Sequence, residues 1–343
     1  MNFNKIFFTL IILLILSYYY EYIYEYFTNE NKFKIIIYYP FNFSKDVGGV
    51  MILCYFAIKI NEILKDKIVY LFNDNTTLIN TEDFYFDNFT KDTNFNKEKT
   101  IVIYAEGIVG NPLKAKYIIR WILAEISVNT TSDIYKVYGK DDLIYYFNKE
   151  IKFDNNPEKI GSIYKMLTLI YLNPKVTMTN FEKRNGWCFT YRKSYIHKNI
   201  NNIHPTEAYE LDRFISQDDS IKAFNKYKYF VCYDPLTFLA MMSLLCGCIT
   251  IIYPIEGMNK KEWLNTTIFS DYMKYNNINN IYGLAYGIED LSFAEETISK
   301  APKLVNDVIN SINNKYIELF LDDVEKLFKK EITLENTVAN NYC

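Results

Sequence analysis

Three hundred and forty-three residues are enough chain for about two domains with a core each, and they exclude a single small module. Lys and Arg number 38 against 41 Asp and Glu, a net charge of −3, so no global basic field is present to hold nucleic acid. Half of the residues are hydrophobic and 23% are charged, which excludes intrinsic disorder.

Residues 6–16 read IFFTLIILLIL, and the Tyr-rich SYYYEYIYEY follows to residue 26. A run of this length suits a signal-peptide core as well as a span. No small-residue cleavage site follows it, and the tyrosines can seat at a membrane interface, so an uncleaved signal anchor over 1–27 is expected. Lys5 precedes the run while Glu21, Glu25 and Glu30 follow it, which predicts a single-pass membrane protein with its N-terminus in the cytoplasm. Glycosylation triplets at Asn42, Asn75, Asn88, Asn129 and Asn265 suit that orientation, although an Asn-rich chain also produces them by chance.

Beyond the anchor, FKIIIYY (33–39) reads as a buried strand stopped by Pro40, and VMILCYFAIKINEIL after Gly48-Gly49 as a helix. KIVYLF (67–72) and TIVIY (100–104) are further strands, and a helix is expected from 113 to about 127, opened by Pro112 and capped by Asn111. In the second half WCFTYR (187–192), YKYFVCY (227–233) and CITIIY (248–253) read as strands. A helix over 235–246 closes at Gly247, and an amphipathic helical pattern covers 302–330. Strands alternating with helices, the strands near-continuously apolar, predict an α/β fold with two parallel sheets covered by helices on both faces. The expected division is an anchor at 1–27, a first Rossmann-like domain at 32–170, a second at 171–300, and C-terminal helices at 301–343.

Aromatics make up 17% of the chain, 32 Tyr, 25 Phe and 3 Trp, and codon drift in an AT-rich genome accounts for them. The same drift thins glycine to 11, where average usage gives about 24. Each survivor therefore marks a place where a positive φ or a close approach is expected. Gly48-Gly49, between the first strand and first helix, reads either as a tight helix entry or as space for a ligand. Glu106, with Gly107 and Gly110 after the TIVIY strand, reads as a solvated loop carboxylate or as a base at the mouth of a sheet. Asp46 borders the same loops.

In the second half Asp234 ends a strand and Pro235 opens a helix whose free N–H groups, with the Thr237 hydroxyl, favour an anion. Capping of that helix by Asp234 is the competing reading. Arg192 and Lys193 end the preceding strand, with Arg184 nearby, as a diphosphate clamp or as a surface charge run. The six cysteines lack paired metal spacing and there are two histidines, His197 and His204, so no metal site is expected. Cys188, Cys232, Cys246 and Cys248 read as buried small hydrophobes.

Several blocks together resemble GT-B-type polysaccharide glycosyltransferases: the Gly48-Gly49 loop, YAEGIVGNPLKAKYIIRW (104–121), GWCFTYRKS (186–194), HPTEA (204–208), YFVCYDPLTFLAMMSLLCGCITIIYPIEGMNKKEW (229–263) and YGLAYGIEDLSFAEET (282–297). The resemblance implies two Rossmann-like domains facing a cleft, acceptor on the first and nucleotide-sugar donor on the second. It places Asp234, Pro235 and Thr237 by the donor diphosphate or sugar, Arg192 and Lys193 on the diphosphate, and Glu256 by ribose or sugar hydroxyls. Gly48 and Gly49 would make room for acceptor and leaving phosphate, with Glu106 and Asp46 as candidate bases. Many relatives carry an E-x7-E motif that has no clean copy here. No DxD motif sits at a strand end, which fits metal-independent transfer with no cofactor beyond the donor itself.

The reading is a membrane-anchored glycosyltransferase acting on a glycan, lipid-linked or protein acceptor. The alternative is a non-catalytic GT-B-fold carbohydrate-binding or scaffolding protein. An oxidoreductase or epimerase is disfavoured because no GxGxxG follows the first strand.

Overall fold

In a computed structural model of the chain, the structure describes residues 33–44, 47–81, 84–124, 130–131, 134–147, 162–192, 194–212, 215–235 and 238–328. The chain divides into two compact units, Met1–Tyr171 with Lys315–Cys343, and Leu172–Asn314. The second boundary falls inside the last helix. The expected anchor at 1–27 lies outside the described residues. Among the described residues no helix is long and apolar enough to cross a membrane.

The first unit runs β1 (Lys34–Tyr38), α1 (Gly48–Leu64), β2 (Val69–Phe72), β3 (Ile79–Thr81), β4 (Phe84–Phe86), β5 (Phe89–Thr90), β6 (Thr100–Ala105), β7 (Tyr117–Ile122), β8 (Leu143–Tyr146) and β9 (Ser162–Met166). Its sheet has the order β5-β2-β1-β6-β7-β8-β9, every pair parallel, while β3 and β4 form a separate antiparallel pair. In order of appearance this is 3-2-1-4-5-6-7, the Rossmann order extended by one strand. Helix α1 has no side-chain cap. It is held by a buried stripe that includes Val50, Leu53, Cys54, Ala57, Ile60 and Leu64, and it ends where Lys65 turns left-handed at φ 50°.

The helix expected from 113 onward is instead strand β7. Its run YIIRWI pairs with β6 in the register Ile101↔Tyr117 to Ala105↔Trp121. A short apolar run does not by itself distinguish helix from strand, and the β-branched Ile118, Ile119 and Ile122 with Tyr117 and Trp121 favour the pleated state. Asn111 does not cap a helix. Its side chain accepts the Ala115 N–H at 2.9 Å and donates to the Ala115 carbonyl at 2.9 Å, closing a turn that contains Pro112.

The second unit contains β10 (Asn185–Thr190), β11 (Tyr209–Glu210), α2 (Gln217–Lys226), β12 (Tyr227–Cys232), α3 (Phe238–Leu245), β13 (Ile249–Ile252), α4 (Lys260–Thr266), α5 (Ser270–Asn276), β14 (Leu284–Tyr286) and α6 (Leu291–Thr297). Helix α7 (Ala301–Phe328) begins in this unit and ends in the first. The sheet order β11-β10-β12-β13-β14 is again wholly parallel, and by appearance it is 2-1-3-4-5. That is the other common doubly wound order.

Gly247 ends α3 at φ +69°, and the Cys248 N–H reaches back to the Ser243 carbonyl at 2.8 Å. A Cβ there would stand 2.7 Å from Met178 Sδ and 2.9 Å from Arg184 Nη2, so both the turn and the packing require glycine. Arg184 donates to the carbonyls of Phe224, Cys246 and Gly247, at the C-terminal ends of α2 and α3. It therefore lies at the amino end of β10, opposite to Arg192, and is no part of a clamp with it.

In the first unit the C-terminal half of α7 is keyed to the sheet by Asp323, 1% exposed. Its carboxylate accepts from the Tyr145 hydroxyl at 2.7 Å and from Lys165. Phe320 of the same helix packs edge-on against Phe56, which also meets Trp121 at 5.0 Å.

Candidate functional sites at the two sheet edges

In an open parallel sheet, ligands bind beyond the carboxyl ends of the strands where the strand order reverses. In the first unit that point lies between β1 and β6. Gly48 and Gly49 open α1 after β1, and Glu106 follows β6 directly. Neither glycine has a positive φ. A Cβ on Gly48 would meet nothing within 4 Å, and one on Gly49 would touch Leu123 Cδ1 at an ordinary 3.5 Å. The packing of the protein itself therefore does not require glycine at either position, and the space beside Gly48 is open.

Glu106 is not a solvated loop carboxylate. It is 7% exposed, and its Oε2 accepts the N–H of Leu123, the residue after β7, at 3.1 Å. Leu123 thus joins the Gly49 backbone and the Glu106 carboxylate in one small region. The Glu106 carbonyl also accepts from the Tyr138 hydroxyl at 2.7 Å.

The loop that carries Glu106 is fixed from below by a residue that sequence reasoning passed over. Arg120, on β7 and 1% exposed, pairs through Nε with Asp142 Oδ2 at 2.7 Å and donates to the carbonyls of Ile108 at 2.9 Å and Gly110 at 2.5 Å. Its guanidinium lies over the Tyr104 and Tyr138 rings at 4.9 and 4.8 Å. Burial pushes the Tyr104 hydroxyl up to about 12, against the pull of the Leu113 N–H and of Arg120. An arginine in an apolar strand looks like helix surface when the run is read as a helix, and nothing else in the sequence marks it.

In the second unit the order reverses between β10 and β12, and Arg192 and Asp234 lie just past the carboxyl ends of those two strands. Arg192 is exposed, whereas Asp234 is 3% exposed. Both act on the Cys232 thiol between them. Burial raises its pKa far above the usual range, Asp234 raises it further, and Arg192 lowers it. That thiol is an inert core group. Pro235 is buried, with its carbonyl accepting the Trp263 indole N–H at 3.1 Å, and Trp263 stacks on Tyr286 at 5.0 Å. The Tyr286 hydroxyl accepts from Ile255 N–H and donates to the Met258 carbonyl, both at 2.9 Å, which fixes the loop bearing the exposed Glu256. Asp46, Lys193 and Thr237 lie outside the described residues.

A second pattern at this edge also went unread. Each of three strands is followed at once by a tyrosine: Tyr191 after β10, Tyr233 after β12 and Tyr253 after β13. Their rings form a row, 4.8 Å from Tyr191 to Tyr233 and 4.9 Å from Tyr233 to Tyr253. Their hydroxyls hold the loop after β10: Tyr191 donates to Asn202, Tyr253 accepts from Asn201 N–H, and Tyr233 accepts from Ile203 N–H. The signal lay in the positions of three tyrosines, which a composition-level explanation of the aromatic excess hides.

Among the described residues no cluster of His, Cys, Asp and Glu is arranged to hold a metal ion. Cys54, Cys188, Cys232, Cys246 and Cys248 are buried free thiols. A cavity of about 460 Å³ lined by Thr93, Asn94, Phe95, Lys97, Pro112, Leu113 and Lys114 lies by the amino ends of β6 and β7, away from Glu106.

No protein-family model matches the sequence, and no curated protein does. Among solved structures, the chain is similar to the T4 phage β-glucosyltransferase at 11% identity and a TM-score of 0.41, over 86% of this chain and 98% of that one. It is also similar to the wall teichoic acid polymerase TagF at 10% identity and a TM-score of 0.34, over 96% and 99%. Both scores are below 0.5, too low to define a shared fold.

Proposed function

We propose that the chain is a GT-B-type glycosyltransferase that moves a sugar from a nucleotide-diphosphate donor to a glycan, lipid-linked or protein acceptor. One observation carries the reading: Arg192 and Asp234 flank the strand-order reversal of the second sheet, and Glu106 flanks that of the first, where doubly wound sheets take their ligands. In this reading the second edge holds the donor. Arg192 and Lys193 meet the diphosphate, Asp234, Pro235 and Thr237 lie by diphosphate or sugar, and Glu256 contacts hydroxyls. The first edge takes the acceptor beside Gly48 and Gly49.

The chemistry asked of these groups is modest. Glu106, or Asp46, accepts the proton of an acceptor hydroxyl as its oxygen bonds to the anomeric carbon. The bond from that carbon to the diphosphate oxygen breaks, and the nucleoside diphosphate leaves with its charge met by Arg192, Lys193 and the N-terminal end of α3. Transfer is proposed as metal-independent because no DxD motif ends a strand. The apolar segment within 1–27 would tether the enzyme to a membrane.

Calorimetry with UDP and GDP tests the reading. One of them is expected to bind, and Arg192→Ala with Lys193→Ala is expected to weaken it at least about tenfold, the worth of one charge-assisted hydrogen bond. Unchanged affinity would remove both residues from the donor site. Binding without hydrolysis or transfer from the matching sugar conjugates would favour a non-catalytic carbohydrate-binding protein.

A further inference from the structure

Both histidines of the chain grip one residue. His197 Nε2 lies 2.9 Å from the Tyr233 carbonyl oxygen, and His204 Nδ1 lies 2.8 Å from the Tyr233 hydroxyl. A carbonyl only accepts, so His197 carries hydrogen on Nε2. The Tyr233 hydroxyl accepts the Ile203 N–H at 3.1 Å and is also met by the main-chain N–H of His204; with its oxygen so engaged, its own hydrogen is assigned to His204 Nδ1, which is then bare. His204 also stacks on Phe189, rings 3.7 Å apart and 10° from parallel, with Tyr191 and Tyr233 at its edge. The charged group acting on it is Glu210 of β11.

We propose that Tyr233 and His204 are positioning residues that hold loop 194–208, and with it Arg192, on the carboxyl edge of the second sheet while His204 is neutral, and release it when Nδ1 takes a proton from solvent. Protonation sets a new N–H against the Tyr233 O–H. The hydroxyl must then turn to accept from both Ile203 and His204, which strands its own hydrogen. His197 behaves differently, because its added proton goes to Nδ1 and the bond from Nε2 to the carbonyl survives.

Burial lowers the His204 pKa from its ordinary 6.5, and the Glu210 charge only partly offsets this. The held state is therefore at full strength above about pH 6.5, the pKa of the released imidazole, and weakens as pH falls below it. The consequence for donor binding rests on the nucleotide-sugar reading above, but the hold on the loop does not.

The test uses the full chain without ligand. Imidazole ¹⁵N spectra are expected to show the Nε2–H tautomer for both histidines at pH 8, with His204 protonating below the ordinary imidazole value of 6.5. Amide-exchange protection of Ile203, corrected for the intrinsic pH effect, is expected to fall roughly three- to tenfold between pH 7.5 and pH 5, the worth of one hydrogen bond. Tyr233→Phe keeps the ring, and it is expected to lower that protection at pH 7.5 and to abolish its pH dependence. His197→Gln retains a donor and is expected to leave the pH dependence intact. A hydrogen on His204 Nδ1, or protection of Ile203 that is indifferent to both pH and Tyr233→Phe, overturns the proposal. UDP and GDP titrations over the same range separate the two claims: a loop that responds to pH in a protein that binds neither nucleotide leaves the positioning role standing and removes the donor site.

Discussion

Arg120→Met removes the guanidinium beneath the Glu106 loop and leaves the carboxylate of Asp142 buried without its cation. The two side chains are 1% and 5% exposed, so water does not replace the lost partner. Breaking a buried ion pair from one side costs about 3–5 kcal/mol. The carbonyls of Ile108 and Gly110 lose their donor as well, at about 1 kcal/mol each where the loop does not relax. The expected loss is thus about 5 kcal/mol, read as a lower midpoint in urea for the unfolding transition of the first unit. Adding Asp142→Leu strands no charge, and the double variant is expected to recover more than half of that loss, although the Gly139 N–H then lacks its acceptor. Amide exchange across 106–116 should rise in the single variant. A loss below about 1 kcal/mol in Arg120→Met, or a double variant no more stable than the single one, would refute the view that this pair holds the loop.

Glu106→Gln keeps an acceptor for the Leu123 N–H while removing the charge, so the melting temperature should change little; kcat for sugar transfer is expected to fall about 10²- to 10⁴-fold with donor affinity unchanged, and an unaltered kcat would exclude Glu106 as the base. Trp263→Phe retains an aromatic face for Tyr286 but leaves the buried Pro235 carbonyl without its donor. It should lower the stability of the second unit by about 1–3 kcal/mol in denaturant titrations, and no loss would show that the indole hydrogen bond adds nothing.

The frame of both units was legible because its central strands and long helices carry their own pattern. KIIIY, TIVIY and YKYFVC are runs of mostly apolar and aromatic residues with turn residues beyond them, and α1 and α7 show the helical period over many turns. The outer strands lack such a signature. β11 is two exposed residues and β14 three between glycines, so their pairing is decided by the neighbour rather than by their own sequence. β7 was misread for the same reason that Arg120 was missed, since both are settled by contacts with β6 and with Asp142, 22 residues further along the chain.

At the sites, sequence reasoning located the edges and misjudged environments. Glu106 and Asp234 lie at strand ends as expected, yet both are buried. Arg184 and Arg192 are eight residues apart on either side of a strand that carries them to opposite ends of the sheet. The row of Tyr191, Tyr233 and Tyr253 appears only once the strands are aligned side by side.

The guanidinium of Arg184 has a consequence for the field around the second sheet. A short helix is ordinarily a balanced dipole whose two ends, about +0.5 and −0.5 of a charge, largely cancel at a distance. Arg184 sets a full positive charge on the terminal carbonyls of α3 and shares it with those of α2. The first turn of α2 carries Asp218 and Asp219, whereas that of α3 has no acidic residue. With its negative pole quenched, α3 contributes mainly its positive end at the edge bearing Arg192, where the buried carboxylate of Asp234 is the negative charge that an arriving anion has to overcome.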